Sequence, residues 1–258
     1  MTAMDQTTEA RAAVVLDDRP IARRIGLVVL STDHTSERDF NRIVPREEAA
    51  VYGNRIVFRN PTTPETLRAM EPGLVEGAAL ILPGEALDAI CYSCTAASAV
   101  LGDAAVVEAV ARGKPDVPVV TPPMAARRAF AALGVTRISI LTPYLDETAA
   151  PVAAYFRDHG FVVDRLTNLG LDDDRDIARV ATGSIVDAAR DALDERSEGL
   201  FISCTALRAA EVVATIEAAC GVPVVTSNQA SAWMCVRLAG IDRPIAGYGR
   251  LLSLLLPE

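Results

Sequence analysis

The chain has 258 residues, of which 50% are hydrophobic and only 5% aromatic, and its formal net charge at pH 7 is −9. Binding to nucleic acid or to an anionic membrane surface requires clustered lysine and arginine, so we expect a small-molecule partner instead. Five cysteines are an odd number for a disulfide framework, and residues 1–20 contain no sustained apolar segment typical of a secretory signal. We therefore expect a cytoplasmic protein with reduced thiols.

Strand-like apolar runs alternate along the chain with alanine-rich segments of helical spacing. The runs cover residues 24–30, 87–92, 117–121, 137–142, 161–166, 199–203 and 222–226. Helical spacing is clearest over 104–111 and 205–219, and Gly134, Gly160 and Gly221 stand where a left-handed residue ends a helix before the next strand. The alternation predicts an α/β fold of parallel sheets flanked by helices.

The second half of the chain repeats the first. The tetrapeptide Ser-Cys-Thr-Ala occurs at 93–96 and again at 203–206, each time after a strand-like run. We therefore predict two pseudo-symmetric α/β lobes with the active site between them. The N-terminal lobe would span 21–122 and the C-terminal lobe 123–226, with a helix and tail over 227–258 returning to the first lobe.

The C-terminal run from Leu251 to Leu256 is apolar but short. A membrane-spanning helix needs about 20 apolar residues, so this run does not predict a membrane anchor. We expect it to dock on a lobe or on a neighbouring subunit, and we expect the protein to be a homo-oligomer.

Polar residues follow several predicted strands, at the sheet edge where ligands of parallel α/β folds bind. Cys94 and Cys204 hold equivalent places in the two repeats, so two thiols are expected to face one cleft. A cysteine directly before a helix lies beside free N–H groups that favour the thiolate. One thiolate can act as base or nucleophile while the other thiol delivers a proton, which suits isomerisation or inversion. Substrate contacts are predicted from the neighbouring hydroxyls of Ser93, Thr95, Ser203 and Thr205.

The chain lacks the residues that common cofactors require. Only His34 and His159 are present, without zinc-ligand spacing, and the single lysine, Lys114, lies in a predicted turn rather than a pocket. Neither a Gly-x-Gly-x-x-Gly segment nor a P-loop occurs. We therefore predict no metal and no cofactor. Packing is the predicted role of the three remaining thiols, Cys91, Cys220 and Cys235.

These features resemble the aspartate/glutamate racemase superfamily, and within it the maleate isomerase and arylmalonate decarboxylase branch. The resemblance extends from about residue 24 to 250 and rests on the paired Cys-Thr segments, Thr142-Pro143-Tyr144, and the closing motif Gly-Tyr-Gly-Arg-Leu-Leu at 247–252. It implies that Cys94 is a nucleophile, Cys204 its acid partner and Tyr144 a donor to a substrate carboxylate. By position alone, Tyr144 could equally be a surface phenol. Decarboxylases of this branch keep one cysteine, so two cysteines indicate an isomerase or racemase.

Two acidic residues depart from the maleate isomerase pattern. Asp33 and Asp174 stand where those enzymes hold substrate carboxylates with asparagines, and buried carboxylates would repel a dicarboxylate. A substrate with a cationic amine or amidine suits them better. With the segments 169–171 and 175–179 on either side of the acidic turn, the pattern resembles the EutA group, which is associated with (hydroxy)ectoine breakdown.

Three alternatives to this interpretation stay open. The chain could be a maleate cis-trans isomerase, or a protein of the same fold that binds a small ligand without turnover. Asp174 could also cap a helix without contacting any substrate.

Overall fold

Two four-stranded parallel sheets form the framework of the computed structural model, which describes residues 10–17, 19 and 21–257. The strands are β1 Arg23–Leu30, β2 Ala49–Ile56, β3 Ala89–Ser93, β4 Val119–Val120, β5 Arg137–Thr142, β6 Val162–Asn168, β7 Gly199–Ile202 and β8 Val224–Thr226. They are ordered β2-β1-β3-β4 in the first sheet and β6-β5-β7-β8 in the second. The two sheets thus have the same order, and the predicted α/β fold is confirmed.

Helices flank both sheets. Their bounds are α1 Ser36–Ile43, α2 Pro64–Arg68, α3 Glu71–Ala79, α4 Thr95–Leu101, α5 Asp103–Gly113, α6 Pro122–Leu133, α7 Asp146–Asp158, α8 Asp174–Ile177, α9 Thr182–Ala192, α10 Val213–Cys220 and α11 Ser227–Leu238. In the part of the chain that the structure describes, α7 is the longest helix with 13 residues, and none is long and apolar enough to cross a membrane.

Strand β2 is the element that the sequence pattern does not reveal. It pairs in parallel with β1 along its whole length, from Arg23 opposite Ala49 to Leu30 opposite Ile56. Because β2 lies at the edge of its sheet, only its two end residues are buried, and it includes the poor strand former Gly53. A half-exposed edge strand lacks the continuous apolar run that marks the central strands.

The helix ends predicted at three glycines are confirmed. Gly134, Gly160 and Gly221 have φ angles of 70°, 87° and 75°, in the left-handed region. Glycine reaches this region without the steric penalty of a side chain, so it ends a helix just before the next strand.

Hydrogen bonds hold the C-terminal segment on helices α10 and α11, including one from the N–H of Arg250 to Glu217 of α10 at 3.0 Å. The buried guanidinium of Arg237 donates to the carbonyl oxygens of Leu252 and Leu254, and Gln229 donates to that of Tyr248 at 2.7 Å. Helix α11 itself packs on α1, β3 and α6. The closing motif at 247–252 therefore docks on the protein's own helices. The predicted lobe boundaries and the predicted homo-oligomer stay predictions.

Candidate active site

Cys94 lies where strand β3 ends and helix α4 begins. Its backbone is extended, with φ −149°, and it occupies the position that caps α4. Burial raises the pKa of the Cys94 thiol far above its ordinary value, while the N–H of Ala97 in the first helical turn lowers it. The predicted order of strand, cysteine and helix is thus found at Cys94.

Cys204 has different surroundings, although it lies in the same tetrapeptide. Its φ is +92°, and no helix follows it directly: a short 3₁₀ turn forms at Ala210–Val212 and α10 begins at Val213. The prediction of a helix over 205–219 is wrong for its first half. In a helix, the carbonyls of Thr205 and Ala206 would accept hydrogen bonds from N–H groups four residues later. Here they accept hydrogen bonds from the side chains of Asn228 and Thr35 instead.

The two cysteines and Tyr144 share one buried site. Cys94 and Cys204 are each 5% exposed and Tyr144 is 3% exposed. Burial raises the pKa of Cys204 to about 12, and a hydrogen bond from the Tyr144 hydroxyl opposes that rise. Charge on Cys204 in turn raises the pKa of Cys94, so the thiols are close enough to interact. This proximity agrees with two thiols facing one cleft.

Tyr92 belongs to the same site and was missed by the sequence analysis. It is fully buried on β3, and its hydroxyl lies by the sulfur atoms of Cys94 and Met70. The signal was available, because residues two apart on a strand point to the same face and Tyr92 precedes Cys94 by two positions.

Asp33 is buried in the loop after β1, and its carboxylate accepts hydrogen bonds from neighbouring residues of the chain. One oxygen accepts hydrogen bonds from the N–H groups of Thr35 and Ser36 at 2.7 and 2.8 Å, and the other from the Ser36 hydroxyl at 2.6 Å. Burial raises the pKa of Asp33 and these three donors lower it. Asp33 thus binds the N–H groups at the start of α1, whose N-cap residue is Thr35, and its predicted contact with a substrate remains a prediction.

Asp174 is the first residue of α8, but it does not cap that helix. The cap is Asp173, whose carboxylate accepts from the N–H of Arg175 at 2.9 Å. Asp174 instead accepts from the Thr32 hydroxyl at 2.7 Å, which joins the second half of the chain to the first. Burial raises the pKa of Asp174 to about 6, and its charge raises the pKa values of Cys94 and Cys204. Asp174 is therefore a buried carboxylate close enough for its charge to affect both thiols.

Three of the four predicted substrate hydroxyls bind other parts of the chain. Thr95 donates to Ser227 at 2.7 Å, Thr205 donates to the Ser93 carbonyl at 3.1 Å, and the Ser93 hydroxyl lies 2.8 Å from that of Ser36. The Ser203 hydroxyl is buried and has no hydrogen-bond partner among the described residues. Ser203 is thus the one of these four hydroxyls to which the described chain gives no partner.

The thiols are buried, and hydrogen bonds join the two loops nearby in sequence to Asp174 and β2. The loop after β2 is joined to the acidic turn by Asn60, which donates to Asp173 at 2.9 Å, and by the N–H of Thr62, which donates to the Asp172 carbonyl at 2.7 Å. Two surface cavities of about 560 and 570 Å³ lie elsewhere and include neither cysteine. Because the thiols are only 5% exposed, access of a substrate requires a local opening of the site.

Within the described ranges, no three His, Cys, Asp or Glu side chains are grouped as a metal ion would require. The prediction that no cofactor is used stays a prediction. The chemistry that this arrangement supports is proton transfer or nucleophilic addition by thiols in a water-poor site.

Comparison with known proteins places the chain in a family. The arylmalonate decarboxylase family model matches residues 43–252. Arylmalonate decarboxylase of Bordetella bronchiseptica is 34% identical over 142 residues, which cover 53% of this chain and 58% of that enzyme. Maleate isomerase of Nocardia farcinica is 28% identical over 240 residues, which cover 89% of this chain and 95% of that enzyme.

The solved structures agree with the sequence comparison. A cysteine-to-serine mutant of Nocardia farcinica maleate cis-trans isomerase, which carries a covalently bound succinylcysteine intermediate, has a TM-score of 0.82 and 28% identity. The match covers 90% of this chain and 98% of that one. The chain therefore belongs to the arylmalonate decarboxylase family, together with the maleate isomerases, and is an enzyme of this kind.

Proposed function

We propose that this enzyme is an isomerase or racemase that uses Cys94 and Cys204 on a small carboxylate substrate. The observation that carries the proposal is the presence of two buried thiols at equivalent places of the repeat, near enough for the charge of one to affect the other. The succinylcysteine intermediate of the Nocardia farcinica relative supports direct chemistry by a cysteine.

The proposed reaction needs one ionised and one protonated thiol. The thiolate removes the proton from the carbon beside the substrate carboxylate, and the electron pair moves into the carboxylate as an enolate. The other thiol then donates its proton to the opposite face of that carbon. The first sulfur ends as a thiol and the second as a thiolate, so atoms and charge balance and the configuration is inverted.

The charge of Asp174 favours a substrate with a cationic group. In the free protein this carboxylate raises the pKa of both thiols, which disfavours the thiolate that the reaction needs. A bound amine or amidinium would pair with Asp174 and lower both pKa values. Binding of a zwitterion would thus activate the thiols, whereas a dianion would suppress them.

We further propose that the substrate is a zwitterionic compound related to (hydroxy)ectoine and that the chain is closest to the EutA group. Ectoine combines a carboxylate with an amidinium ring, the two charges that this site would hold. The resemblance of the acidic turn at 172–174 and its flanks supports the proposal, together with the buried carboxylate of Asp174.

Maleate cis-trans isomerisation is the second candidate, and the similarity to the Nocardia farcinica enzyme over 89% of this chain favours it. Here the Cys94 thiolate adds to an alkene carbon and the electron pair moves towards the neighbouring carboxylate. Rotation about the resulting single bond and loss of Cys94 then give the trans isomer.

The test is a ¹H NMR assay of ectoine derivatives, small carboxylates and maleate in D₂O. The proposal predicts exchange of deuterium into the carbon beside the carboxylate, with inversion, for a zwitterionic substrate. The same assay on Cys94→Ala and Cys204→Ala should show neither. Conversion of maleate to fumarate without activity on zwitterions would establish the second candidate, and inactivity on the whole panel would contradict both substrate classes.

A further inference from the structure

Two peptide groups that follow Cys204 turn their N–H ends towards its sulfur. The N–H groups of Ala206 and Leu207 both lower the pKa of the Cys204 thiol. The turn that allows this has Cys204 at φ +92°, a conformation that a residue with a side chain keeps only where surrounding contacts enforce it.

The carbonyl oxygen of each of these two peptide groups accepts a hydrogen bond from a side chain. In a trans peptide the carbonyl points away from the N–H, so the Thr205 carbonyl lies behind the N–H of Ala206, and the Ala206 carbonyl behind that of Leu207. Asn228 donates from Nδ2 to the Thr205 carbonyl at 2.8 Å, and Thr35 donates from Oγ1 to the Ala206 carbonyl at 2.7 Å. A hydrogen bond accepted by a peptide carbonyl also strengthens its N–H as a donor.

The orientation of Asn228 is fixed by Asp39. Both side chains are 2% exposed, and Nδ2 of Asn228 donates its second hydrogen to Oδ2 of Asp39 at 2.8 Å. A carbonyl can only accept, so the amide nitrogen must face Thr205, and this leaves Oδ1 of Asn228 buried without a partner among the described residues. Such a group costs stability, which a residue serving only to pack would avoid.

We propose that Asn228 and Thr35 are positioning residues for Cys204, with Asp39 holding Asn228 in place. Together they fix the two peptide groups whose N–H ends stabilise the Cys204 thiolate, and none of the three is required to touch the substrate. The inference rests on the proposed function for the task of that thiolate. The three residues lie on α1, on α11 and in the loop before α1, so the contacts join distant parts of the chain at one turn.

The test measures the thiolate directly and needs no substrate. Iodoacetamide alkylation rates of Cys204 and Cys94 are followed from pH 7 to 10 by peptide mass spectrometry in the wild type and in Asn228→Ala, Thr35→Val and Asp39→Asn. Below its pKa a thiol reacts in proportion to its ionised fraction, so a pKa raised by one unit slows alkylation about tenfold. We expect alkylation of Cys204 to slow about tenfold in the first two variants. It should slow less in Asp39→Asn, because the new amide oxygen can still accept the hydrogen bond from Asn228.

Ser231→Ala is the matched control, because Ser231 is another buried polar residue of α11 and its hydroxyl has no partner in the described part of the chain. It should leave the alkylation of Cys204 unchanged. Cys94 reports on opening of the site and should keep its rate in all variants.

Two results would overturn the inference: unchanged alkylation of Cys204 in folded Asn228→Ala and Thr35→Val, or an equal change at Cys94 and Cys204. If Asn228→Ala does not fold, Thr35→Val alone tests the inference, because Thr35 holds the other peptide group, that between Ala206 and Leu207. Once a substrate is known, the variants should lower kcat more than they raise KM. Because labelling requires no turnover, an error in the proposed function would not alter its outcome.

Discussion

Replacing Asp174 with asparagine should stabilise the protein at neutral pH. Burial raises the pKa of Asp174 from 3.8 to about 6, so the folded chain binds this proton more tightly than the unfolded chain does. The contribution of this bound proton to the free energy of unfolding is fully present below about pH 4 and is lost as the pH rises through about 6. A neutral amide at this position avoids the loss, which is about 3 kcal/mol for a shift of about two pKa units. For a protein of this size, Tm should rise by several degrees.

The same substitution should impair catalysis on a zwitterion. Removing one member of a buried charge pair costs about 2 to 5 kcal/mol, so kcat/KM for a cationic or zwitterionic substrate should fall at least tenfold. Without substrate the effect on the thiols has the opposite sign: loss of the negative charge lowers the pKa of Cys94 and Cys204 and should speed their alkylation. Selectivity should move towards dianions such as maleate.

Thermal denaturation from pH 4 to 8 and kinetics on both substrate classes test this reasoning. Asp173→Asn is the matched control, because Asp173 is the neighbouring residue that caps α8 and Arg175 holds its pKa low. The control should not gain stability at neutral pH. A lowered Tm for Asp174→Asn, with unchanged substrate selectivity, would show that Asp174 has only a structural role.

Three further predictions concern other residues. Cys94→Ala and Cys204→Ala should each lower kcat by about 10³-fold, measured by NMR, whereas retained turnover would exclude a two-thiol reaction. Substrate should slow alkylation of these two thiols but not of the partly exposed Cys220, and equal protection of all three would contradict the site. Gly249→Ala should lower Tm by several degrees, because its Cβ would lie 2.5 Å from Val213, and an unchanged Tm would contradict tight docking of the closing motif.

Much of the fold could be predicted because the central strands carry continuous apolar runs and the chain repeats itself. The edge strand β2 could not be predicted. All of its residues except the first and the last are partly or fully exposed, and its sequence mixes polar and apolar residues accordingly. Local sequence also could not distinguish Cys94 from Cys204. The same tetrapeptide is extended at one cysteine and left-handed at the other, because contacts from Thr35 and Asn228 act on only the second.

The candidate site was predictable in outline but not in its hydrogen bonds. Thr95 and Thr205 were expected to bind substrate, yet each binds a group more than a hundred positions away in the sequence. Pairings of this kind depend on how the two halves meet, which local spacing does not encode. The turn stabilised by Asp33 is different, because an aspartate that accepts from the N–H groups two and three residues later is a local pattern that could have been recognised.

The unequal surroundings of the two thiols determine which one is ionised more readily. Burial and mutual repulsion disfavour two thiolates at once, so one cysteine stays protonated. Each sulfur has one tyrosine hydroxyl beside it, from Tyr144 at Cys204 and from Tyr92 at Cys94. Cys204 also has two backbone N–H groups, from Ala206 and Leu207, whereas Cys94 has that of Ala97. In the free protein the negative charge is therefore easier to place on Cys204, although the family resemblance assigns the nucleophile to Cys94. A substrate with a cationic group, as proposed above, would neutralise Asp174 and lower the pKa of Cys94, which favours thiolate chemistry in the bound state.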